Sequence, residues 1–132
     1  MKHAPQPFQD EVLGAMPWDE DESGWIARPA SGAFQIVVAG TQRPHSSLLA
    51  AARALSAHPG NLQAQVSSLL RAFADRVPEA ATEVLALQIE AVRLTNPDRP
   101  GDGMIYFSGA DPYRVWRCDF VEGVPTGLGF DD

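Results

Sequence analysis

Cysteine occurs once in this chain, at Cys118, and lysine once, at Lys2. A lone cysteine cannot close an intrachain disulfide, so nothing in it marks an oxidising compartment. No run of about 18 apolar residues exists, which excludes a helical membrane span. Residues 1–10 contain no apolar segment of the kind a secretory signal needs, and the expected address is the cytoplasm. Neither GxGxxG nor a P-loop occurs, and a P-loop would need a lysine far from residue 2. GxSxG is absent, as are HExxH and CxxC. Histidine is scarce: His3 lies in the lead-in, His45 before the first expected helix and His58 at its end, where the helix dipole favours a cation. None of the three reads as a general base, because a base must first reach a nucleophile. No catalytic, cofactor-binding or metal-ligating residue is therefore expected.

Charge of one sign is abundant. Asp and Glu outnumber Lys and Arg by 17 to 10, for a net charge of −7. The arginines are dispersed, from Arg28 and Arg43 through Arg53, Arg71, Arg76, Arg93 and Arg99 to Arg114 and Arg117. Such a surface repels nucleic acid, tolerates a basic protein partner, and keeps a protein dissolved. The densest charge is Asp19-Glu20-Asp21-Glu22, followed by Ser23-Gly24, which is a solvated turn. Calcium does not follow from it: the alternating ligands, central glycine and closing glutamate of an EF-hand loop are missing.

With 132 residues, 45% of them hydrophobic, the chain is sized for one domain. Residues 1–9 are read as a loose lead-in. Val12–Trp18 and Trp25–Arg28 suggest short strands. Ala33–Ala39 alternates, with Phe34, Ile36 and Val38 on one face. Ser46 or Ser47 is expected to cap a helix running to about Ala57, and Asn61 to cap a second, with Leu62, Val66, Leu69, Leu70, Phe73 and Val77 as its stripe. A period of two returns at Leu85, Leu87, Ile89 and Ala91. Met104–Ser108 and Tyr113–Val121 complete the strands, and residues 123–132 form a glycine-rich tail that could add one more. Cys118 alternates in register with Trp116 and Phe120, which places it in the core as an inert thiol. Strands, two helices, then strands predict an α+β fold: one antiparallel sheet of about five strands with both helices on one face.

Val12-Leu13-Gly14-Ala15-Met16-Pro17-Trp18, the acidic turn, Gly24-Trp25-Ile26 and the Phe34–Val38 strand resemble a group of small bacterial domains of unknown function. The resemblance implies a strand meander, a helical pair and a C-terminal hairpin. It also implies an association with polymorphic-toxin loci and an immunity role, with no catalytic residues to carry over. Some relatives close the last strand with a histidine; here Arg117-Cys118-Asp119 stands there. The expected function is a non-catalytic domain that binds another, basic protein. Trp18, Asp19, Glu20, Asp21, Glu22 and Trp25 are the expected partner surface, since large aromatics beside a charged rim make binding hot spots. The alternative is an enzyme or small-ligand binder whose polar groups, such as His45, Arg114 and Arg117, converge only in three dimensions.

Overall fold

A computed structural model describes residues 5–131. It contains nine strands: β1 (Phe8–Asp10), β2 (Gly14–Met16), β3 (Trp18–Asp19), β4 (Gly24–Ala27), β5 (Gln35–Val38), β6 (Gln88–Leu94), β7 (Gly103–Ser108), β8 (Val115–Val121) and β9 (Val124–Asp131). Between β5 and β6 run α1 (Ser46–Ala57), α2 (Pro59–Arg76), a 3-10 turn at Pro78–Ala80 and the short α3 (Ala81–Leu85). β3 to β9 form one seven-stranded sheet in chain order, and β1 and β2 form a separate hairpin.

The sheet overturns the expectation of five antiparallel strands with two helices. It is mixed: β5 and β6 pair in parallel, Ile36 beside Val92 and Val38 beside Leu94, while every other neighbouring pair is antiparallel. The physical reason is the helical connection itself. A chain that leaves β5, travels back along the sheet as helices and re-enters beside the strand it left can pair only in parallel. Among the described residues there are three α-helices, because Val84 and Leu85 belong to α3 and β6 starts at Gln88. The glycine-rich tail, Val124–Asp131, is an eight-residue edge strand. Phe8 and Gln9, placed in the lead-in by sequence, lie in β1; residues 1–4 fall outside the described range.

Two helix starts also differ from expectation. The N-cap position of α1 is held by His45, which makes no side-chain capping hydrogen bond, and Ser47 spends its hydroxyl on the Pro97 carbonyl at 2.7 Å, tying α1 to the 95–102 loop. α2 begins at Pro59, a residue suited to the first helical position because its missing N–H would have no partner there.

The core lies between the helices and one sheet face. Trp25 and Ala27, Ile36 and Val38, Val92 and Leu94, Ile105 and Phe107, and Trp116, Cys118 and Phe120 supply the sheet side. Leu48, Leu49 and Ala52 of α1 and Leu62, Val66, Leu70 and Ala74 of α2 supply the helix side. Leu69 and Phe73 are only half buried at its margin, with Phe73 edge-to-face on Trp116 at 5.9 Å. Cys118 is buried, and burial pushes its thiol pKa up. At the far corner Glu83 of α3 accepts hydrogen bonds from Trp116 Nε1 at 2.5 Å and Arg114 at 2.8 Å. Arg114 in turn covers the Phe130 ring at 4.6 Å, which fastens the end of β9 to the helix layer.

The β1–β2 hairpin is fastened by Asp10, whose carboxylate is buried. It accepts the N–H groups of Val12 and Leu13 and the guanidinium of Arg53 on α1. Arg53 is the main reason its pKa falls to about 2, against the opposing effect of burial. A depressed carboxyl pKa stabilises the fold above its unfolded value and loses that contribution as pH falls through its folded value. Resistance to urea should therefore fall between about pH 4 and pH 2, and Asp10→Asn should remove most of that slope while costing on the order of 2 kcal/mol at pH 7. In the same assay Leu70→Ala should cost about 2–5 kcal/mol and the half-buried Leu69→Ala clearly less.

Candidate functional site

Helices cover one sheet face only, so the side chains alternating with the core set stand on the other. In register across β5, β6, β7 and β8 these are Val37, Arg93, Met104 and Asp119, and, one pair along, Gln35, Ala91, Tyr106 and Arg117. The β3–β4 turn, which holds the acidic run, lies to one side. Its Glu22 carboxylate pairs with Arg93. Since β5 lies between β4 and β6, this ion pair passes over Val37, which is buried. Gly24 makes room for it: a Cβ there would come within 2.6 Å of the Val37 side chain. Arg93 Nε is enclosed and has no hydrogen-bond partner among the described residues.

The turn forms one wall of a groove of about 590 Å³, and the 109–114 loop forms the other. Gln35, Ala91 and Tyr106 line its floor, with Ser108, Glu90, Asp111 and Arg114 around them. A second hollow of about 400 Å³ continues past Arg93 and Tyr106 along Met104, Asp119 and Thr126.

Glu90 lines the groove at a β-bulge. Ile89 pairs with Phe107 and Ala91 with Tyr106, so Glu90 has no opposite number on β7. The two-residue alternation missed this, although its phase holds the signal. Leu87 and Ile89 sit at odd positions on the core side, whereas Val92 and Leu94 sit at even ones. One residue must be extra between them, and a bulge re-aims the side chain it inserts.

Placement of the expected partner residues is mixed. Glu20 and Asp21 are exposed at the tip of the turn and make no ion pair among the described residues. Asp19 is half exposed and caps the turn by accepting the Glu22 N–H at 3.1 Å. Glu22 is committed to Arg93. Trp18 is half buried, edge-to-face on Trp25 at 5.4 Å. Trp25 is a correction: it is 1% exposed, donates its indole N–H to the Gly40 carbonyl, and can touch no partner. Its pairing in register with Val38 places it on the core face of β4.

The residues proposed for a converging site do not assemble. His45 and His58 flank α1, in the helix layer, while Arg114 lines the groove and Arg117 pairs with Asp131 on the open face. Among the described residues no three His, Cys, Asp or Glu side chains are placed to hold a metal ion, and no helix is long and apolar enough to cross a membrane. What the open face offers chemically is hydrogen bonding and charge. Gln35, Ser108 and Glu90 make no side-chain hydrogen bond among the described residues, whereas five arginines are each matched to an acid.

The Glu22–Arg93 pair is partly exposed, so its net worth is small. Glu22→Gln should lower the unfolding free energy by no more than about 1 kcal/mol, and about 1 M salt should shrink the difference from wild type. A much larger loss in a urea titration would show that the turn is held by this contact alone.

No protein-family model matches the chain, and neither does any curated protein or solved structure.

Proposed function

We propose that this chain is a non-catalytic protein-binding domain of the immunity type, which engages a basic partner through the acidic turn and the open sheet face beside it. The observation that carries the reading is the state of the turn's charges. Glu22 and Asp19 are used to build the turn, and Glu20 and Asp21 are left exposed without an ion pair among the described residues. Exposed carboxylates that hold nothing together, on a turn whose Glu22 lines a groove, favour the approach of an oppositely charged protein. The composition supports the same direction, with seven more acids than bases.

A second reading, a receptor for a small polar ligand, draws on the groove. Its volume of about 590 Å³ falls in the range of small-molecule sites, and Arg114 and several acids line it. The two readings separate on whether a second protein is needed: a small-ligand receptor is saturated and stabilised by its ligand with no other protein present, whereas the leading reading requires a complex with another protein.

The leading reading is tested by co-expressing the chain with the products of the adjacent genes and measuring association kinetics on any complex that co-purifies. Glu20→Gln combined with Asp21→Asn should leave the melting temperature unchanged. The same variant should slow association at low salt. The difference should fade as the Debye length shortens to about 8 Å at physiological ionic strength. Failure to form a complex with either product, or an on-rate indifferent to the substitutions at low salt, would sink it.

A further inference from the structure

We propose that the groove between the acidic turn and the 109–114 loop receives a cationic side chain, an arginine or lysine of the partner protein, with Glu90 as its counter-ion. This deepens the protein-binding reading and rests on it: the exposed turn speeds encounter, and the groove supplies the anchor.

Three observations lead there. The first is local charge balance. The groove's two cations are already matched, Arg93 by Glu22 and Arg114 by Glu83, while Glu90 and Asp111 have no cation among the described residues. An incoming anion would meet arginines that are taken and carboxylates that repel it; an incoming cation would meet the reverse. The second is the bulge. It leaves Glu90, which follows the core-facing Ile89 and so stands on the open face, without a β7 residue opposite it. The third is the chemistry around it. Tyr106 offers an aromatic ring on the groove floor, and a guanidinium or ammonium gains from an aromatic face as well as from a carboxylate. Gln35 and Ser108, which make no side-chain hydrogen bond among the described residues, can serve the chain that carries the cation. A groove of about 590 Å³ has room for such a chain beside its side chain. A metal ion is a poorer occupant, because no third ligand is within reach among the described residues.

Butylguanidinium, with neutral butylurea as its uncharged counterpart, tests this on the isolated chain by nuclear magnetic resonance of backbone amides. Butylguanidinium should give saturable shifts at Ala91, Tyr106, Ser108 and Gly109, and butylurea should not. Glu90→Gln, which breaks no contact in the fold, should melt like wild type and weaken the probe about tenfold, the order expected for one charge-assisted hydrogen bond. Asp111→Asn should weaken it less, giving an independent arm. The proposal is overturned if the groove amides do not shift, if butylurea shifts them equally, or if Glu90→Gln has no effect. Shifts confined to Glu20 and Asp21 would also overturn it while leaving the protein-binding reading intact. A partner complex that forms normally with Glu90→Gln and dissociates no faster would do the same.

Discussion

Parallel pairing of β5 with β6 obliges the intervening chain to return along the sheet, and that return determines which face is covered. α1 and α2 can bury their apolar stripes only against the face they cross, so the opposite face of β6, β7 and β8 is left to polar and charged side chains. The open face then inherits the alternation of the strands. Arg93, Tyr106 and Arg117 stand there because Val92, Ile105 and Trp116 are needed on the other side. The groove is thus a by-product of how the core is closed, and its walls are the two connections that protrude beyond the sheet.

The long-range polar contacts serve the same division. Asp10 and Arg53 hold the N-terminal hairpin to α1; Glu83, Trp116 and Arg114 hold the last strand to α3; Glu22 and Arg93 hold the turn over the open face. Each joins segments far apart in sequence, and each lies at the margin of the apolar layer. Two of the three put a half-exposed carboxylate opposite an arginine, and their value is chiefly geometric: they set where a loop stands. The hairpin differs, since its carboxylate is enclosed and also accepts two backbone N–H groups.

Local chemistry made several elements legible from the sequence. Phe34, Ile36 and Val38 alternate cleanly, as do Trp116, Cys118 and Phe120, and Pro59-Gly60 punctuates the helices. What was hidden has a physical cause in each case. β9 reads as a tail because Pro125, Gly127 and Gly129 have poor strand propensity; it is a strand because β8 offers it a ladder. Val84 and Leu85 fit either period, and packing decided for the helix. Strand order alone does not separate a parallel from an antiparallel return. The acidic turn was legible as a turn, but Glu22 and Arg93 are 71 residues apart, and no local pattern links them. Trp25 beside acids looked like a surface aromatic, whereas its pairing with Val38 belongs to the core.

The end of the sheet at β9 has a bearing on how copies of this chain coexist. A bare eight-residue edge is a template on which further strands can assemble. Here the ladder to β8 slips between Asp119 and Phe120, leaving Thr126 as the extra residue, with its hydroxyl turned back to the Asp119 carbonyl. Pro125 beside it has no N–H to donate. The regular part of the edge is reduced to Gly127–Asp131, and at the opposite end β3 is only two residues long. Neither border presents the long, flat ladder that open-ended fibre growth requires, so a crowded population of these molecules has little to zip together.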